Sequence, residues 1–312
     1  MNIIETKKLT KRYGNKEVVS GINLLVEQGD TFGLLGPNGA GKSTTISMLV
    51  GLVKPTSGDI LIKGINTKNK AEDVRHYIGL VPQDIALYPT LTAEDNLRFW
   101  GRMYGIRGKK LKSRVEEVLE IVNLEEKRKD KIETYSGGMK RRINIAAALL
   151  HEPEIIIMDE PTVGIDPQSR NHILETVKSL NKLGTTIIYT SHYMEEVEFL
   201  CNKVAIIDNG KVIASDEKEK LKKSIIDSEK LILELSAIPK ELNKEIQSVE
   251  EVIRLVTSKN NVMEIYVHNG AQAFVKILTI ILRYNIKIVS SKIEEPNLET
   301  VFLKLTGKTL RD

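Results

Sequence analysis

A single cysteine, Cys201, stands in 312 residues, and one thiol excludes an internal disulfide. A reducing compartment suits such a chain, with Cys201 itself read as a small buried apolar residue. Long apolar runs are also missing. Stretches such as Val275 to Leu282 fall well short of a membrane span, and Lys276 interrupts this one. Any membrane role must then be borrowed from a partner. No leader pattern of charged, apolar and small residues opens the sequence at Met1. Excess charge is absent as well: a net +4 spread along the chain does not by itself argue for a nucleic-acid partner. What is present, 41% hydrophobic and 28% charged residues, is the composition of a globular protein with chain enough for about two domains.

The run Gly36-Pro37-Asn38-Gly39-Ala40-Gly41-Lys42-Ser43-Thr44 is the most informative stretch. Phe32, Leu34 and Leu35 before it read as a buried strand and Thr44 to Leu52 as a helix, so the glycines fall on a strand-to-helix turn. Backbone N–H groups can converge there on phosphate oxygens. Gly39 and Gly41 permit the dihedrals and close approach, Lys42 can reach the β- and γ-phosphates, and Ser43 can ligate Mg²⁺. Chance would place this pattern in only ~1% of chains of this length.

Around this cradle, Ile3 to Leu9, Val18 to Val26 and Ile60 to Ile62 read as strands of a small antiparallel sheet. From Leu91 to about Asn123 the pattern is helical, with Thr92 as a cap and Asp95 three positions on. Ile155 to Met158, Thr185 to Tyr189 and Val204 to Ile207 are β-branched runs separated by helices, the mark of a largely parallel sheet. Asn209-Gly210 predicts a type I′ hairpin, and Ser215 to Lys223 a helical linker.

Asp159 and Glu160 end the apolar run from Ile155, where carboxylates at a parallel sheet edge sit beside phosphates. Asp159 is placed to hold the Mg²⁺ shell and Glu160 to orient and deprotonate water for in-line attack. Gln83, after the strand Tyr77 to Val81, can contact Mg²⁺ or water and report nucleotide state to the helical insertion. His192 lies just past a strand ending at Thr190, where it can hydrogen-bond the γ-phosphate. Ser136-Gly137-Gly138 precedes the helix Lys140 to Leu150 and makes a second anion site at a helix N-terminus. One triphosphate does not need two such sites. The second therefore serves the nucleotide of a facing subunit in a head-to-tail dimer, with Asp166 in the turn Val163 to Pro167 completing the set.

The order of these motifs resembles the ATP-binding subunit of an ABC transporter over about Met1 to Lys220. The resemblance implies an α/β P-loop NTPase cassette in three parts: a RecA-like parallel-sheet core, an antiparallel β subdomain, and an α-helical subdomain at about residues 87–150. It makes Gly36 to Thr44 the Walker A loop, Gln83 the Q-loop, Tyr135 to Met139 the signature and Ile155 to Asp159 the Walker B strand. Glu160 then becomes the catalytic base, Val163 to Asp166 the D-loop, His192 the switch histidine, and Tyr13 the aromatic that stacks on adenine. ATP and Mg²⁺ are the implied cofactors. Three departures stand out: Tyr135 replaces the common Leu of the signature, Met139 its Gln, and Val163 to Asp166 lacks the common Ser-Ala-Leu-Asp of the D-loop. These variants and the tail Glu294 to Leu303 are similar to the subgroup serving drug, antibiotic and sodium exporters. The implied partners are separate multi-span permease subunits and a second cassette, identical or paired, with the protein peripheral on the inner face of the cell membrane.

After a linker at 221–230, residues 231–312 read as strand-helix-strand-strand-helix-strand with a closing helix. This predicts a small α+β, ferredoxin-like domain with no catalytic constellation, regulatory or dimer-stabilising, whose segment Glu294 to Phe302 packs back near the cassette. A cassette acting on ribosomes or nucleic acid is the alternative function; the single cassette and the lack of sustained heptads oppose it. A non-hydrolysing cassette is disfavoured by the presence of Lys42, Asp159, Glu160 and His192. The basic residues Arg107 to Arg114 and Lys127 to Lys131 alternate with acids and read as a mixed solvated surface.

Overall fold

Apolar alternation at the start of the chain folds as β1 (Asn2–Tyr13), β2 (Lys16–Ile22) and β3 (Leu25–Glu27) in the computed structural model. The structure describes residues 1–68, 70, 74–225, 228–258, 260–294 and 297–307. A single strand from Val18 to Val26 is not what forms. The Thr6 hydroxyl donates to the Ile22 carbonyl and accepts from the Leu24 amide, and Asn23 Oδ1 accepts from the Lys8 amide. Side chains thus replace the ladder where β1 changes partner from β2 to β3. β4 (Thr31–Leu35) leads to α1 (Lys42–Leu49), and β5 (Ser57–Ile62) with β6 (Ile65–Asn66) completes an antiparallel sheet ordered β2-β1-β5-β6, with β3 on β1.

After β7 (Ile78–Val81), the helical stretch divides into α2 (Ala93–Met103) and α3 (Gly108–Ile121), parted at Gly105 with φ 80°. Thr92 caps α2, its hydroxyl accepting the Asp95 amide at 3.0 Å. Arg114 corrects the reading of a wholly solvated basic surface. It is buried, and its guanidinium donates to the carbonyls that end α4 (Gly137–Leu149), at Leu149 (2.6 Å) and Leu150 (3.2 Å).

β8 (Ile155–Asp159), α5 (Pro167–Lys182), β9 (Thr186–Thr190), α6 (Met194–Leu200), β10 (Lys203–Asp208) and β11 (Lys211–Glu217) follow. The central sheet runs β11-β10-β4-β9-β8-β7, parallel except for the β10–β11 hairpin. β4, β8 and β9 are buried throughout, as strands covered on both faces must be. Ser215 to Glu217 remain strand rather than linker helix, because they keep pairing with Ala205 to Lys203; α7 (Lys218–Ile225) starts only where that pairing ends.

Met1–Lys218 belongs to one compact unit and Glu219–Leu305 forms a second. The second holds β12 (Glu229–Leu235), α8 (Lys240–Gln247), β13 (Val252–Thr257), β14 (Val262–Val267), α9 (Gly270–Arg283) and β15 (Ile288–Glu294). Its antiparallel sheet is ordered β13-β14-β12-β15, the split β-α-β arrangement. Leu231, Leu233 and Leu235 pack under Leu242, Ile246, Ile277 and Ile281, each such burial contributing about 1.5–3 kcal/mol. The last strand runs from Ile288 to Glu294 because it follows β12 from Leu235 to Lys230. α10 (Leu298–Thr306) closes the chain. Glu295 and Pro296 of the C-terminal run lie outside the described residues. Among the described residues no helix is long and apolar enough to cross a membrane.

Candidate functional site

Gly36 to Gly41 turn the chain from the end of β4 into α1, with the Ala40 amide donating back to the Pro37 carbonyl at 3.1 Å. Gly41 sits at φ 107°, and a Cβ there would meet the Val18 carbonyl oxygen at 2.7 Å, so only glycine fits. Gly39 also has positive φ, at 77°. Lys42 lies 5% exposed, its Nζ donating to the carbonyls of Gly36 (2.7 Å) and Pro37 (3.2 Å). Burial pulls its pKa below the ordinary value, partly opposed by Glu160 and Asp159. A desolvated ammonium whose hydrogen bonds, among the described residues, go to neutral carbonyls fits an incoming phosphate.

Asn38 to Thr44 line a cleft of about 380 Å³ together with Val18, Gln83, Glu160 and His192. Three of those side chains converge. Glu160 accepts from Gln83 Nε2 at 3.1 Å on one oxygen and meets His192 Nε2 at 2.6 Å on the other. Glu160 is itself in the left-handed region, φ 50°, a conformation that costs a non-glycine residue about 1–2 kcal/mol. Thr190 offsets this: its hydroxyl accepts the Glu160 amide at 2.9 Å and donates to Asp159 Oδ1 at 2.8 Å. His192 Nδ1 is buried without a partner among the described residues.

The remaining expected residues lie outside the cleft lining. Tyr13 is half-exposed at the end of β1, with Lys11 Nζ 4.9 Å from its ring centre. Asp159 ends β8 behind Glu160. Ser136 caps α4, accepting the Met139 amide at 3.2 Å, with Gly137 exposed beside it. Gly138 packs so tightly on α5 that a Cβ would fall 2.2 Å from Ser169 Oγ. Tyr135 is buried, its hydroxyl donating to the Lys127 carbonyl at 2.6 Å, and burial pushes its pKa up to about 12. Asp166 caps α5 through the Ser169 amide at 2.9 Å, and that hydrogen bond holds its carboxyl below the usual range.

Sequence reasoning missed four contributors. Val18 lines the cleft and bounds Gly41. Thr190 joins Asp159 to Glu160. On α4, Arg141 donates to the carbonyls of Pro82 and Gln83, and Asn144 Oδ1 accepts the Ala86 amide at 3.2 Å. The helix after Ser136 thereby holds the backbone that carries Gln83. Only Thr190 had a local signal, a hydroxyl at a strand end beside His192. The hairpin predicted at Asn209-Gly210 forms with both residues at positive φ, and its tip touches the cradle: the Gly210 amide donates to the Ala40 carbonyl at 3.0 Å.

Residues 19–163 match the ABC transporter family. Over 314 residues the chain is 51% identical to the linearmycin resistance ATP-binding protein LnrL of Bacillus subtilis, covering 99% of this chain and 100% of that protein. It is 38% identical over 310 residues to the Nod factor export ATP-binding protein I of Cupriavidus metallidurans, covering 99% of each. Among solved structures, an ATP-binding subunit of an ABC transporter is similar at 31% identity and TM-score 0.65, over 71% of this chain and 92% of that one. A dimeric ATP-binding cassette in a post-hydrolysis state with ADP and Pi is similar at 29% identity and TM-score 0.62, over 69% and 98%.

Proposed function

The chain belongs to the ABC transporter family as an ATP-binding, ATP-hydrolysing subunit, and from that membership we propose that it powers an exporter whose membrane-spanning subunits are separate chains. The observation that carries the chemistry is the convergence of Gln83, Glu160 and His192 on one cleft with the Gly36–Thr44 cradle. The cradle amides and Lys42 bind the phosphates. Glu160, steered by His192 and Gln83, accepts the proton of the attacking water, and His192 then faces the γ-phosphate. Ser43, Gln83 and Asp159 would hold Mg²⁺, which would supply positive charge to offset that of the phosphates. Tyr13, exposed at the end of β1, offers its ring to adenine.

Ser136 to Gly138 and Asp166 serve the nucleotide of a facing cassette. Their position outside the cleft lining and the dimeric relative support this reading. Export is supported by the printed roles of the relatives, resistance to linearmycin and Nod factor export; none of the proteins reported above is a ribosome- or nucleic-acid-acting cassette. The protein works at the cytoplasmic face of the membrane through its partner. The second compact unit carries no phosphate cradle among its described residues and is read as a regulatory or dimer-stabilising appendage.

Glu160→Gln tests the core of this reading. A general base contributes ~10² to 10⁴ in rate, so phosphate release is expected to fall by that factor while ATP binding persists and traps a dimer visible by light scattering. Near-normal turnover would remove Glu160 from the role of base. Copurification of the intact chain with a multi-span membrane protein tests the transport assignment.

A further inference from the structure

Glu196, on α6, is 2% exposed and takes no part in lining the cleft, yet a buried carboxylate is costly unless its oxygens are satisfied. Its Oε2 accepts three hydroxyls: Ser191 at 2.6 Å, Thr162 at 2.8 Å and Tyr189 at 2.9 Å. Its Oε1 makes no hydrogen bond among the described residues and is compensated by charge alone, 3.4 Å from the guanidinium of Arg170. These partners are chain neighbours of the reacting groups. Thr162 sits between Glu160 and Asp166, and Ser191 directly precedes His192. Arg170 adds a second tie to each segment: its amide donates to the Asp166 carbonyl at 2.9 Å, and its guanidinium lies over the Tyr193 ring at 4.1 Å. The Ser191 hydroxyl also accepts the Tyr193 amide at 2.9 Å.

Packing alone asks for none of this, since an apolar side chain of similar volume would fill the same space without a charge to compensate. We propose that Glu196 is a positioning residue that locks the segment carrying His192 to the segment carrying Asp166. A shift of His192 at one nucleotide is then passed to the turn that meets the facing cassette. This inference rests on the ATPase reading above.

The test compares the intact chain with Glu196→Gln, which keeps the shape and one acceptor oxygen but removes the charge opposite Arg170. Misplacing a catalytic group commonly costs ~10²-fold, so kcat is expected to fall ~10- to 100-fold with the ATP dissociation constant unchanged, measured well below the melting temperature of the variant. In a His192→Ala background, read by single-turnover phosphate release, the same substitution should add nothing, because both act through one group. Full additivity in that background, or an unchanged kcat, overturns the proposal. Thr162→Val and Ser191→Ala, each removing one donor, keep the question open to measurement should Glu196→Gln fold poorly. They are expected to lower kcat less and to be equally silent over His192→Ala; unchanged kcat in both overturns the proposal. Impaired Glu160→Gln and His192→Ala beside a normal Glu196→Gln reject this inference alone, whereas normal hydrolysis by Glu160→Gln rejects the reading beneath it.

Discussion

Lys42 is a cation kept ready for an anion. Burial lowers its pKa beneath the ordinary 10.5, while the unfolded chain retains that value. Over the interval between the two values the unfolded chain binds more protons, so stability rises with pH as the folded pKa is passed and levels off near 10.5. Thermal melts of the parent and of Lys42→Met across the alkaline range should show this slope in the parent alone. Nucleotide supplies a counter-charge and should flatten it; identical slopes in both proteins would detach the lysine from this role. At this scale Gly36 to Thr44, Glu160 and His192 were legible because each stands in a short motif of its own. Thr190 and Arg141 were not. Their bonds to Asp159 and Gln83 span 31 and 58 residues of chain, a distance over which one sequence carries no pattern.

Among the elements, α4 has two tasks. Its capped N-terminus presents Ser136 and Gly137 outward, and one turn later Arg141 and Asn144 grip the backbone from Pro82 to Ala86. The two bonds donated by the charged Arg141 guanidinium contribute about 1.5–3 kcal/mol each. Arg141→Met, of similar length without donors, should therefore speed amide hydrogen exchange at residues 83–86 while leaving the central strands protected; unchanged exchange there would mean the grip is idle. Element starts were readable where capping chemistry is local, as at Thr92; at Ser136 the cap was readable but the helix starts at Gly137 rather than Lys140, because the two glycines join its first turn. Ends were not readable where pairing decides: β11 persists to Glu217 because Lys203 is still there to pair with it, and β2 stops at Ile22 because the side chains of Thr6 and Asn23 intercept the ladder.

For the molecule as a whole, we propose that the exposed Ser136 cap faces a seam between two cassettes. Ser136→Arg should suppress hydrolysis by the assembled dimer by blocking that seam, yet leave ATP binding to a single chain intact; equilibrium nucleotide titration beside steady-state phosphate release separates the two. Loss of both together would place Ser136 in its own chain's nucleotide site. The three-part plan of the cassette was legible through motif order, since glycines, carboxylates and histidine must meet at one sheet edge to handle one triphosphate.

The contact between the hairpin tip and the cradle has a consequence for chemical ageing. Asn-Gly sequences lose ammonia when the glycine nitrogen attacks the asparagine side-chain carbon, and here the Gly210 nitrogen is committed to the Ala40 carbonyl. The Gly210 carbonyl is held in turn by the Ser20 amide at 2.8 Å. Ring closure must wait for the tip to let go, so the slow accumulation of isoaspartate at Asn209 clocks how often this corner of the cradle opens. Stored with ATP analogue, the protein should age more slowly at that residue than without it, as peptide mass mapping can follow. Ageing at the rate of an unstructured Asn-Gly peptide would mean that the corner stands open most of the time.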